Sequence, residues 1–245
     1  MIARVRHDAC VVTGRDASSY LHSQASNDIS SLAVGASCYA FFLDPSGKVV
    51  SLVRVTRRAD DDFLLDLDRG GLEHLLPRLE RFKIRVDVTI EAVELTCECR
   101  RRDESGASDV EGLRVDAWWG GDDSFDLLLV GDSSGDESSP ELEVERVVAA
   151  WPRLGCEIEP GVTLAAATGV VSRAVSFTKG CYPGQELVER MDSRGAEAPF
   201  SLRRLDDAAE SRVGDDIVRD GVVVGTVTSV AGGRALAYVR RNVDL

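Results

Sequence analysis

Short apolar blocks, separated by glycine, proline and aspartate turns, run through most of this sequence and predict strands more often than helices. Ala9-Cys-Val-Val-Thr-Gly14 reads as a strand ending in a glycine turn. Asp16 is placed to cap a helix from Ser18 to Gln24 with Tyr20 and Leu21 inward. After breaks at Ser26-Asn-Asp28 and Gly35, Cys38 to Leu43 and Lys48 to Thr56 form strands around the turn Asp44-Pro-Ser-Gly47. Phe63 to Leu67 is a further strand, and Leu72, Leu75, Leu76 and Leu79 repeat at helical spacing. Phe82 to Val88 begins another strand, and Val93 to Cys99 is one more.

Arg101 to Gly112 and Gly131 to Pro140 read as surface loops; the second is acidic, rich in Ser and Gly, and too polar to enter a core. Ser124 to Val130 is a buried strand between them. Glu141 to Ala150 follows as a helix with Val144, Val147 and Val148 inward. Beyond Pro199 the elements shorten. Ile217-Val-Arg219, the Asp220-Gly221 turn, Val222 to Val230 and Ala235 to Val239 predict a small β subdomain. Hairpins mixed with strand–helix–strand units predict an α+β architecture rather than a doubly wound sheet.

The 245 residues suffice for one large domain or two closely packed ones, and the formal charge of −13 repels phosphate backbones. No direct nucleic-acid contact is expected. No apolar run approaches the roughly 20 residues of a membrane helix, and the start MIARVRHDAC lacks a signal-peptide core. A cytoplasmic protein with no membrane contact is expected. Six cysteines scattered along a chain of this size then read as reduced thiols.

One segment carries more chemistry than the rest: Ser176-Phe-Thr-Lys-Gly-Cys-Tyr-Pro-Gly-Gln-Glu-Leu-Val-Glu-Arg190. Gly180, Pro183 and Gly184 shape a turn that presents Lys179 and Cys181, after which Gln185-Glu-Leu-Val188 begins a helix or strand. A nearby ammonium from Lys179, or a guanidinium from Arg190 or Arg194, favours the thiolate. Two readings stand open, a presented reactive thiol and a buried cysteine in a tight turn.

Lys179-Gly-Cys-Tyr-Pro-Gly-Gln-Glu186, with Arg190 and Arg194-Gly195 downstream, resembles the signature of the YgfZ family of folate-binding proteins, relatives of the glycine-cleavage T-protein, an aminomethyltransferase. Val12-Thr-Gly-Arg-Asp-Ala17 through Asn27-Asp-Ile29 resembles the family's opening. Trp151-Pro-Arg-Leu-Gly155 with Glu157-Ile158 resembles the stretch before the signature, and Val224-Gly-Thr-Val-Thr-Ser229 the C-terminal barrel motif. The resemblance implies a GcvT/YgfZ-like ring of ferredoxin-like α/β subdomains around a central opening. It divides the chain into a folate-binding α+β domain of two interleaved subdomains over residues 1–198 and a small C-terminal β-barrel over residues 199–245. It implies a tetrahydrofolate-type cofactor. It also implies an accessory role in assembly or repair of iron–sulfur proteins linked to tRNA modification, with those proteins or their assembly factors as partners. Cys181 is the implied working thiol; Lys179, Gly180, Tyr182, Gly184, Gln185, Glu186, Arg190 and Arg194 are the implied binding residues.

Two departures bear on that expectation. Ser51 and Leu52 stand where T-proteins carry an acidic pair, and neither is a carboxylate base, so active aminomethyl transfer is not expected. Ala165 and Ala167 stand where relatives place a Pro-x-Glu step whose glutamate grips the pterin, which weakens the folate expectation. A transferase of the T-protein class and a folate-free binding module are the alternatives. Glu157 and Glu159 are the nearest acids along the chain. His22 reads as a surface or packing residue. Cys97-x-Cys99 puts two thiols on one strand face, but no second pair or histidine completes a site, so packing without metal is expected.

Overall fold

The computed structural model describes residues 1–102, 110–117, 119, 121, 123–193 and 198–243. Seven strands share one sheet: β1 (Ile2–Thr13), β2 (Ser37–Leu43), β3 (Val49–Ala59), β4 (Asp62–Leu67), β5 (Thr89–Arg100), β6 (Leu113–Asp116) and β7 (Phe125–Val130). Their order is β2-β3-β4-β1-β5-β7-β6, every neighbouring pair antiparallel. Because side chains alternate along a strand, the sheet has two distinct faces. Cys10, Val12, Ala40, Phe42, Val53, Val55, Phe63 and Leu65 face α1 (Ala17–Gln24) and α2 (Leu72–Phe82), packing on Tyr20, Leu21, Leu75 and Leu79.

The opposite face carries a polar row. Register places Tyr39 beside Arg54, Arg54 beside Asp66, and Cys99 beside Asp126, with His7 and Cys97 on the same side. Arg54 has no solvent exposure. Its Nε and Nη2 donate to Asp66 at 3.0 and 2.7 Å, and its Nη1 donates to Asp126 Oδ2 at 2.6 Å. β3 and β7 are four places apart, about 19 Å across a flat sheet at ordinary strand spacing. One side chain can join them only if the sheet curls around this row. Burial alone would push the Asp66 carboxyl up, yet the Arg54 guanidinium and His7 hold it near 2.

The C-terminal strands β8 (Phe200–Leu205), β9 (Asp216–Arg219), β10 (Val222–Ala231) and β11 (Arg234–Arg240) form a second sheet in the order β8-β11-β10-β9. Asp220 and Gly221, at φ 50° and 75°, supply the tight hairpin expected of Asp-Gly. α3 (Pro140–Val148) links the sheets. Ser139 caps it, accepting from Leu142 N, and Val147 packs on Leu202 and Leu236. Short α4 (Val171–Ala174), α5 (Gln185–Ser193) and a 3-10 turn at Ala165–Ala167 complete the described helices. No helix among the described residues is long and apolar enough to cross a membrane.

Several expectations need correction. Asp16 does not cap α1; its Oδ2 accepts from Asp87 N at 2.8 Å, tying the first turn to the segment after α2. Phe82 to Val88 is not a strand. Phe82 ends α2, Arg85 takes a left-handed φ of 56°, and Val88 drops into the helix-packed core. β6 and β8 were not anticipated. Gly131 to Pro140 is a loop, but Gly135 is buried and Asp136 pairs with β1, Arg6 N donating to Asp136 O at 2.9 Å. Residues 103–109 of the first expected loop, and Arg194-Gly195, lie outside the described residues.

Arg54→Met strands two buried carboxylates, so urea denaturation should show a loss of about 3–5 kcal/mol. A loss below about 1 kcal/mol would mean that the curl does not depend on this arginine.

Candidate functional site

Two regions carry chemistry, and they are distinct. The first is the turn at residues 179–185. Lys179 points inward: its Nζ donates to the carbonyl of Ala25 at 2.6 Å and to that of His22, satisfying carbonyls at the C-terminal end of α1. Burial pushes this ammonium down to about 8, with Asp28 and Cys181 opposing, and its Nζ sits 5.0 Å from the Tyr182 ring centroid. Anchoring the lysine leaves the next side chain outside. Cys181 is the one exposed thiol of six; Cys156 is partly buried and the other four are buried. Of the two readings of Cys181, the presented thiol is the observed one.

The turn is also pressed against the β2–β3 hairpin. Gly184, at φ +82°, has no room for a side chain: a Cβ there would lie 2.6 Å from the Asp44 carbonyl oxygen and 2.9 Å from Gly47 Cα. Asp44 shapes its own side of the contact, its Oδ1 accepting from Ser46 N at 2.8 Å and Lys48 N at 3.0 Å. Beyond the turn, Gln185 Oε1 accepts from Tyr182 N, and Gln185 Nε2 donates to Glu189. Glu186 and Arg190 pair with each other on the exposed side of α5. His22 stands close by, facing Asp28 at 3.2 Å, its pKa lowered by burial and then by the Lys179 charge.

The second region is a cleft of about 340 Å³ inside the curled sheet. Tyr39, Trp119, Trp151 and Leu52 form its apolar walls; the Tyr39 and Trp151 rings meet edge-on at 4.7 Å. Arg101 lies over Trp119 at 4.3 Å and donates to Asp126 Oδ1 at 2.6 Å. Among the described residues, Arg101 Nε and Arg6 Nε, both in this lining, are buried without a hydrogen-bond partner. None of residues 179–190 belongs to the lining, and neither do Ala165 and Ala167.

Glu157 does not reach the cleft. It is buried and accepts from Arg146 Nη1, the Arg153 backbone, Thr228 and Ser229, while Arg146 also donates to Trp151 O. This knot fixes the Trp151–Arg153 wall against β10. Glu159, by contrast, shapes a turn, its backbone N–H donating to Thr163 Oγ1. Of the acids in the lining, Asp68 also flanks a small hollow with Ser51 and Leu52. Burial raises its pKa against a hydrogen bond from Leu154 N at 2.9 Å. Sequence reasoning missed Asp68, His7 and Arg101. The available signal marked only their neighbours, single charges within apolar blocks such as Arg54 in Leu52-Val-Arg-Val55 and Asp126 in Phe125-Asp-Leu-Leu128.

No protein-family model matches the chain. A solved structure of the glycine cleavage system aminomethyltransferase T from Bartonella henselae superposes with a TM-score of 0.74 at 16% identity, covering 98% of this chain and 78% of that one. The fold is therefore that of an aminomethyltransferase-T-like protein, mixed α/β and rich in strands around a curled sheet. The tRNA-modifying protein YgfZ of Edwardsiella ictaluri is 29% identical over 283 residues, covering 93% of this chain and 80% of its own. YgfZ of Enterobacter sp. is 26% identical, covering 96% and 82%. Over more than nine-tenths of its length the chain is thus similar to YgfZ tRNA-modifying proteins, on a fold shared with aminomethyltransferase T.

His7 gives the cleft a pH signature. Burial pulls its imidazole down, but Cys97 and the Asp66 hydrogen bond at 2.9 Å raise it to about 9. A folded pKa above the ordinary 6.5 means stability fully present below about 6.5 and lost as pH rises through 9. Wild type should therefore exceed His7→Gln in unfolding free energy at pH 6, with the gap closing by pH about 9.5. Parallel stability–pH curves would contradict this assignment.

Proposed function

We propose that this chain is a YgfZ-like, folate-binding accessory factor for iron–sulfur protein assembly or repair, linked to tRNA modification, with Cys181 as its working thiol. The observation that carries the reading is the exposure of Cys181 on a turn whose lysine is spent on anchoring it. Similarity to tRNA-modifying YgfZ proteins over more than nine-tenths of this chain supports the tRNA link. An outward thiol outside the cleft lining suits a partner of macromolecular size. The iron–sulfur proteins or their assembly factors are that partner in this reading, in a cytoplasmic setting.

The cleft suits a folate by its donor set. Tyr39, Trp119 and Trp151 offer ring faces to a flat heterocycle, Asp68 offers a carboxyl to its amino edge, and Arg101 and Arg6 offer unused N–H groups to carboxylates. Tetrahydrofolate, when bound, supplies a one-carbon carrier. The protein's own part is to stack the ring and neutralise the acid tail. In this reading the curled sheet and the 151–156 wall surround the ring's central opening, and Lys179, Gly180, Tyr182, Gly184, Gln185, Glu186 and Arg190 support the thiol side. The β8–β11 sheet is the small C-terminal barrel unit, with its boundary near residue 199.

A transferase of the T-protein class is the alternative. Asp68 favours it, since a half-buried carboxyl of raised pKa stands beside Leu52, where the acidic pair is lost.

Cys181→Ala should abolish rescue of iron–sulfur-dependent tRNA thiolation in a strain lacking its own YgfZ, while folded protein accumulates normally. Full rescue by the variant would sink the thiol reading. Calorimetry with tetrahydrofolate should give a dissociation constant in the micromolar range or tighter, weakened by Trp151→Ala. No heat of binding would leave a folate-free module, and one-carbon transfer from an aminomethyl donor would establish the transferase.

A further inference from the structure

The floor of the cleft holds a cluster that neither the thiol turn nor folate recognition uses. Cys97 and Cys99 are two apart on β5 and so share a face, and Asp126 on β7 is the direct cross-strand partner of Cys99. The two Sγ atoms are 3.5 Å apart, and both lie within 4.8 Å of an Asp126 oxygen. A tetrahedral zinc-type ion, with bonds of about 2.3 Å to sulfur and about 2.0–2.2 Å to oxygen, needs donor–donor edges of about 3.4–3.8 Å. We propose that Cys97, Cys99 and Asp126 form a binding site for a thiophilic divalent cation of the zinc kind, with its fourth position open to the cleft.

Three features beyond proximity point to a cation. The first is charge. With both thiols protonated, Arg54 and Arg101 balance Asp66 and Asp126, and His7 adds the positive charge that its pairing with Asp66 favours. Binding exchanges two thiol protons for one dication, both S–H bonds breaking as two metal–sulfur bonds form, with two protons released to solvent. The buried charge is left unchanged, whereas two unmetallated thiolates would lower it by two. A hard cation that leaves the thiols protonated adds uncompensated charge, so the site selects for soft metals.

The second is the shell behind the ligands. Asp126 accepts Arg54 Nη1 on one oxygen and Arg101 Nη1 on the other, each at 2.6 Å, which fixes the carboxylate while leaving a lone pair on each oxygen. The third is access. Cys99 and Asp126 both belong to the cleft lining, so an ion reaches them without opening the core. Cys10 and Cys38 make the contrast: both are embedded in the helix-packed apolar cluster on the other face, the environment expected of cysteines that merely pack.

The test uses the full chain carrying Cys156→Ala and Cys181→Ala, which removes the two thiols outside the core. Titration with Cd²⁺ should give a saturable thiolate-to-metal ultraviolet band at one equivalent. Zn²⁺, measured by competition with a chromophoric chelator, should displace it and release two protons per ion. Adding Cys99→Ala should abolish the band, and adding Asp126→Asn should weaken zinc binding while the band persists. X-ray absorption of the zinc-loaded parent should show two sulfur donors, a readout that holds even if Cys99→Ala fails to fold. No band at one equivalent, fewer than two sulfurs at zinc, or a band unchanged by Cys99→Ala in folded protein would overturn the site.

Discussion

A single guanidinium decides the shape of this molecule. Arg54 grips Asp66 on the next strand and Asp126 four strands away, and no flat sheet brings those carboxylates within its reach. Burying three charges is costly, and their mutual attraction offsets that cost only when every donor and acceptor is engaged. Here the engagement is nearly complete, because Arg101 takes the second oxygen of Asp126 and His7 takes part of Asp66. The curl follows, and with it a cleft: apolar side chains would have filled that concave face, whereas ionic groups with fixed directions hold it open.

The helix-packed face of the sheet was legible from the sequence because its information is local. Apolar runs over Cys38 to Leu43 or Phe63 to Leu67, and helical spacing over Leu72 to Leu79, need only neighbours to be read. β6 and β8 were not, since Leu113-Arg-Val-Asp116 is four residues long and Phe200-Ser-Leu-Arg-Arg-Leu205 carries two charges. Phe82 to Val88 misled in the opposite sense. Ile84, Val86 and Val88 alternate as a strand would, but Ile84 remains 69% exposed and the backbone turns at Arg85.

The site divides in the same way. The Lys179–Glu186 turn was visible as an unusual composition, and two readings of Cys181 remained until the anchoring of Lys179 distinguished them. The polar floor was invisible because its members come from different strands. Asp126 lies far along the chain from Cys97 and Cys99, and only strand pairing makes them neighbours. Single charges inside apolar runs were the warning, since an interior charge implies a partner somewhere on the same face.

Gly47 and Gly184 meet backbone to backbone, where side chains usually intervene. Side chains act as springs between packed elements, changing rotamer to absorb small displacements. This contact has no spring. The β2–β3 hairpin and the segment bearing Cys181 therefore shift as one rigid piece, and since β3 also carries Arg54, the curvature of the sheet sets where the thiol points.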